Sequence, residues 1–195
     1  YENTIDSSSP RQLTVINCIP PYLADFTKTL NPGLARTSRH YRLGYFLDLT
    51  NYESAPQYWK DVLGSKQLKK IRRDFRKLET KDQMRFQIYF GNIEKSRYEE
   101  LMDGLRFMIE NRFEEKSTRH SALSRWDYLL KTTLDKINCK EASLFVYSIR
   151  EDSICIGLNY HHDDILYSAI TSFNSTYSNL GPGKLLLFKR IIWCL

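Results

Sequence analysis

Gly181-Pro182-Gly183-Lys184 stands directly before an apolar run, Leu185-Leu186-Leu187-Phe188-Lys189-Arg190-Ile191-Ile192-Trp193-Cys194-Leu195. These types in this order suit the binding of an anion. A helix that starts here presents unpaired N–H groups and the positive end of its dipole. The glycines let a phosphate approach the backbone, and the loop amides can form a nest around it. Pro182 pre-sets the turn, and Lys184 adds a full positive charge at the mouth. A pyrophosphate is the natural occupant. Plain turn chemistry explains the same four residues, so the segment alone leaves both readings open.

His161-His162-Asp163-Asp164 has the composition of a metal or catalytic cluster. It also has the composition of a polar hairpin turn, and adjacent histidines on a strand face opposite sides, where they cannot readily share one metal. His40 and His120 are isolated and read as structural or solvated. Cys18, Cys139, Cys155 and Cys194 lie far apart with no C-x-x-C pair, so neither a disulfide framework nor a zinc site is expected. Cys155 and Cys194 sit among apolar residues as buried thiols do. This cysteine usage points to a reducing compartment and a cytoplasmic protein.

The net charge of +6 comes from one segment. Lys60 to Lys77 holds eight basic and two acidic residues, and the remainder is balanced at 21 of each. Leu68, Ile71, Phe75 and Leu78 are spaced as an apolar stripe on a helix whose other faces are basic. A solvated face, contact with an anionic substrate, coenzyme or membrane surface, and nucleic-acid binding all remain open for it.

The elements that position these residues follow from periodicity. Strands are expected over 13–18 and 41–49, and a short helix over 22–30. Helices are expected from Ser54-Ala55-Pro56 to Leu63 and over the basic segment. Residues 84–90 alternate as a half-buried strand, and two helices follow over 95–116 and 123–137. Then 143–149, 153–160 and 165–173 read as an antiparallel meander with turns at Arg150-Glu151-Asp152 and at the His/Asp cluster. A polar connection, 174–180, leads into the glycine loop. Helices and strands are mixed, not alternated, so the class is α+β.

A meander that delivers its last strand into such a loop resembles the GNAT superfamily of acyl-CoA N-acyltransferases, whose loop reads Q/R-x-x-G-x-G/A. Ser178 stands where many of those proteins have Arg or Gln. Ser178-Asn179-Leu180-Gly181-Pro182-Gly183-Lys184-Leu185-Leu186-Leu187 is similar to the S-P-G-K-L-L-L segment of the CelD-like branch, relatives of the FemABX transferases. Leu63-Gly64-Ser65-Lys66 through Leu78-Glu79 is similar to that branch's upstream basic segment. The resemblance covers roughly residues 40 to 195.

It implies a mixed, mostly antiparallel sheet flanked by helices. It also implies acetyl-CoA or another acyl-CoA as donor, a small-molecule amine as acceptor, and no metal. Backbone groups around Ile170, Thr171 and Ser172 would align the pantetheine arm, and Gly181, Pro182, Gly183 and Lys184 would hold the pyrophosphate. Bacterial polysaccharide or cell-envelope metabolism is the implied setting, and the Fem-type relatives, which use aminoacyl-tRNA as donor, supply an alternative. A non-catalytic module binding nucleic acid or an acidic partner through the basic helix is a third. Glu114, Glu115 and Asp163 are conceivable general bases, with no residue selected among them.

Residues 1–11 are expected to be an unstructured lead-in and 12–195 one domain. The family continues past the loop helix into further strands, so the domain is expected to be truncated at its C-terminal end. The chain opens at Tyr1 with no signal-peptide pattern and has no run of membrane-spanning length.

Overall fold

The computed structural model describes residues 45–81, 84–114 and 120–195. The chain divides into two compact units, Tyr1–Asp48 and Leu49–Leu195, and every helix and strand described lies in the second. The elements expected over 13–18 and 22–30, the lead-in, Cys18, His40 and Glu115 lie outside the described residues.

In chain order the second unit runs α1 (Ala55–Lys81), β1 (Met84–Tyr89), α2 (Lys95–Glu114), a 3-10 turn (Leu123–Arg125), α3 (Trp126–Asn138), β2 (Ala142–Ile149), β3 (Asp152–His162), β4 (Ile165–Phe173), a second 3-10 stretch (Ser175–Leu180) and α4 (Pro182–Cys194). The strands form one sheet in the order β1-β2-β3-β4, with every neighbour antiparallel. The fold is mixed α+β, an antiparallel sheet flanked by helices.

The two faces of the sheet carry different helices. Leu144 and Val146 of β2, Ile156 and Leu158 of β3 and Ile170 of β4 pack with Leu101, Met102 and Leu105 of α2 and Ile137 of α3. The opposite face carries Phe145, Tyr147 and Cys155, covered by Leu185 and Leu186 of α4. Helix α1 then lays Trp59, Leu68 and Ile71 against Phe188 and Ile191 of α4, so Leu68 and Ile71 of the stripe read from the sequence are buried and Phe75 is partly so. Lys66, Lys69, Lys70 and Arg72 stay on the exposed side.

Two helices expected around Gly64 are one, α1, broken at Gly64, whose φ of 73° and ψ of 157° are non-helical. That region is open to glycine almost alone. Residues 45–49, expected to be extended in a strand, carry no strand, and Tyr45 and Phe46 are exposed. The turn after β3 is only Asp163-Asp164, with Asp163 at φ 48°; both histidines belong to the strand. Cys155 is buried, but Cys194 is exposed. The apolar run of α4 is longer than its buried stripe: Leu187 and Ile192 are exposed, and Trp193 and Cys194, though also exposed, lie toward the sheet at the helix end, Trp193 edge-on to Phe90 and Phe145.

Candidate acyl-transfer site

The loop begins where β4 ends. Asn174 accepts from the Thr176 N–H through Oδ1, at 3.0 Å, and starts the 3-10 stretch. Gly181 takes the left-handed conformation, φ 62° and ψ 46°, and its carbonyl accepts from the N–H groups of Lys184 (2.9 Å) and Leu185 (3.1 Å). Pro182 has no N–H. The amide of Gly183, in the first turn of α4, therefore remains as the donor with no intrahelical acceptor.

Gly183 sits over the end of β4. A Cβ added there would lie 3.9 Å from two ring atoms of Phe173, ordinary contact with room to spare. The same Phe173 ring holds the guanidinium of Arg112, from the last turn of α2, 4.8 Å from its centroid. Arg112 thus joins the glycine loop through a shared ring, a cation that the sequence reading did not select. Lys184 is exposed, and its ammonium lies 6.0 Å from the Phe188 ring centroid.

β4 is an edge strand among the described residues, and its register sorts the backbone groups expected at Ile170, Thr171 and Ser172. The Asn174 N–H donates to the Ile154 carbonyl at 2.9 Å, so 154 and 174 form a hydrogen-bonded pair. Antiparallel pairs alternate, which makes 156/172 and 158/170 hydrogen-bonded as well. Ile170 and Ser172 therefore turn their backbone groups toward β3. Thr171 and Phe173 turn theirs to the open edge. The register then shifts, with Leu158 opposite Ile170 and Asn159 opposite Ser168, so Ala169 is the extra residue of a bulge.

Beneath Thr171, on the α4 face, lies a chain of buried polar side chains. Gly157 has no Cβ, and one added there would collide with Leu186 Cδ2 and Arg190 Nη2. Arg190 uses that space. Its Nε donates to Asn159 Oδ1 (2.6 Å) and its Nη2 to Thr171 Oγ1 (2.7 Å). Asn159 Nδ2 donates to Ser143 Oγ at 3.2 Å, and Ser143 Oγ lies 2.8 Å from His161 Nε2. The Arg190 bond fixes the Asn159 amide, so Ser143 Oγ accepts from Asn159, and the direction of its bond with His161 is set by the imidazole tautomer. Burial lowers the pKa of His161 and pulls that of Arg190 down to about 10. Cys155 and Cys194, which face Arg190, are pushed up by burial, Cys155 to about 12.

The remaining candidates scatter. His162 is solvent-facing, with its Nε2 3.7 Å from Asp163, and His161 points inward, as opposite sides of one strand require. His120 accepts from the Ala122 N–H at Nδ1 (3.1 Å) and packs edge-on to Phe113. Asp163 is exposed at the hairpin tip, and Glu114 is exposed at the end of α2. Among the described residues no group of three His, Cys, Asp or Glu could hold a metal ion, and no helix is long and apolar enough to cross a membrane.

The family model for the acetyltransferase (GNAT) domain matches residues 65–194, two thirds of the chain. The protein belongs to the GNAT acetyltransferase family. No curated protein and no solved structure matches the chain.

Proposed function

We propose that the protein moves an acyl group from an acyl-CoA to the amine of a small-molecule acceptor, with the coenzyme laid along the open edge of β4. The observation that carries this reading is the continuity of that edge with the loop. The outward backbone groups of Thr171 and Phe173 lead straight to the Gly183 amide at the start of α4. The pantetheine amides would pair with the edge as an added strand does. Gly181, Pro182 and Gly183 would admit the pyrophosphate to the helix N-terminus, with Lys184 and Arg112 adding charge. Acceptor and thioester meet at the bulge, where the ladder opens.

The transfer needs no covalent enzyme intermediate. A neutral amine attacks the thioester carbonyl directly, and the protein supplies alignment and stabilisation of developing charge. Resemblance of the loop and basic segment to the CelD-like branch favours a bacterial polysaccharide or cell-envelope acceptor and a cytoplasmic site of action. The Fem-type alternative, an aminoacyl-tRNA donor, would use the exposed basic side of α1.

Calorimetric titration with acetyl-CoA tests the reading, beside Gly183→Glu. The added Cβ makes only ordinary contact and a carboxylate suits the first turn of a helix, so the fold is expected to be retained. Its carboxylate would meet the pyrophosphate, and a loss of affinity of at least tenfold, about 1.4 kcal/mol, is expected. Equal affinity in the variant, or no binding by the wild type, refutes the placement.

A further inference from the structure

Arg190 is the one charged residue among the buried ones described, 7% exposed. A buried guanidinium is ordinarily matched by a carboxylate, because an unpaired interior charge costs several kcal/mol. Here its partners are an amide oxygen and a hydroxyl, and the titratable groups facing it are the thiols of Cys155 and Cys194. The buried Cys155 thiol is held neutral, and the more exposed Cys194 thiol is also shifted upward by partial desolvation. His161, at the far end of the chain, is neutral as well. Among the described residues no carboxylate pairs with the guanidinium, so a positive charge lies beneath Thr171 without an acidic partner there.

Its location is specific. Thr171 is the outward-facing residue of β4 that borders the Ala169 bulge, and Arg190 Nη2 bonds its hydroxyl at 2.7 Å. From Phe173 to the bulge is roughly 14 Å of strand, comparable with the length of a pantetheine arm. The reactive end of a coenzyme seated at Gly183 therefore arrives at the bulge, roughly 7 Å of strand beyond Thr171. The absence of a side chain at Gly157 reserves the space that brings the guanidinium to Thr171.

We propose that Arg190 is the electropositive element of the transfer site, stabilising the negative charge that develops on the carbonyl oxygen and on the departing sulfur. This deepens the reading of the β4 edge as the coenzyme seat and rests on it. In the transfer, the neutral amine gives its lone pair to the thioester carbon. A C–N bond forms and the carbonyl oxygen becomes negative. As the carbonyl re-forms, the C–S bond breaks and its electron pair leaves on sulfur. The proton lost by nitrogen ends on that sulfur, giving amide and free thiol. Negative charge appears first on oxygen and then on sulfur, and a fixed cation in a dry site favours both. The same charge disfavours a protonated, unreactive amine.

Coenzyme A itself, with its free thiol, is the probe, because its sulfur reads the potential without any acceptor. Binding is first confirmed by calorimetry, and the ultraviolet absorbance of the thiolate is then followed against pH in the saturated complex. The bound thiol is expected to ionise about one to two pH units below free coenzyme, as a unit charge roughly 7 Å away at an effective dielectric near 20 produces. Arg190→Gln returns it to the free value, and Arg190→Lys retains most of the shift. Asn159→Asp keeps the guanidinium but sets a carboxylate at its Nε, and it too should abolish the shift. That isosteric variant carries the test if Arg190→Gln fails to fold. A wild type that binds coenzyme yet ionises it as in free solution overturns the role of Arg190 and leaves the coenzyme seat standing. A shift that survives Asn159→Asp does the same. No binding at all overturns the seat and the inference together.

Discussion

Replacing Gly157 with Ala adds one methyl group at the most crowded point of the sheet. The backbone permits alanine there, since Gly157 is not among the glycines with positive φ. Space does not permit it, because the new Cβ collides with Leu186 Cδ2 and Arg190 Nη2 together. Leu186 is fully buried, and the guanidinium is held at both Asn159 and Thr171. If α4 shifts outward, the cost is that of overpacking, about 1–3 kcal/mol. If the guanidinium leaves instead, two charge-assisted hydrogen bonds go, at about 1.5–3 kcal/mol each, so the shift of α4 is the cheaper response. Exchange of glycine for alanine returns about 0.5–1 kcal/mol of backbone entropy. The net expectation is a loss near 1 kcal/mol, or a fall in Tm of about 2–4 °C for a chain of this size. Urea denaturation measures it directly, as a lower midpoint with an unchanged slope. A variant as stable as the wild type would refute the close packing of α4 on β3 and the confinement of Arg190.

Gly104 gives the opposite sign. It lies inside α2, and an added Cβ would make ordinary contact with Ile156 Cδ1 at 3.6 Å. Gly104→Ala should therefore stabilise by about 0.4–1 kcal/mol, read as a raised urea midpoint. His161 and His120 both have pKa values lowered by burial. Between those folded values and about 6.5 the unfolded chain binds more protons, so stability is full above pH ~6.5 and declines as pH falls through that window. Denaturation midpoints across that range should show His161→Gln losing part of the slope, and an unchanged slope would contradict the neutral, hydrogen-bonded imidazole.

Much of the fold was legible because periodicity carries it. Tyr98, Leu101, Met102, Leu105, Met108 and Ile109 mark the buried face of α2. The strands of the meander fall almost where alternation and turn residues put them. What failed was what depends on partners. The apolar residues of 45–49 look like a strand, but a strand needs a neighbouring ladder, which a local pattern cannot supply. Cys194 reads as buried because hydrophobicity runs on past the packed stripe of α4. At the site, Gly181 to Lys184 were visible through their types. Arg112 and Arg190 were not, since each joins the site across the fold. Arg190 did leave a sign, a charge set inside an apolar helix, and Gly157 left another, a glycine in the middle of a buried strand. Neither says what it faces until the sheet is assembled.

The open edge of β4 has a cost beyond catalysis. A row of amides and carbonyls that pair with no strand among the described residues accepts any extended chain of suitable length, a second copy of the protein included. Its defences are the Ala169 bulge, which interrupts the row, and the turn at Asn174, which ends it. Between them the usable ledge is a few residues long, short for an invading strand and sufficient for a slender arm bearing a few amides. Selectivity for a coenzyme over a peptide would then begin as a matter of length, before any side chain is consulted.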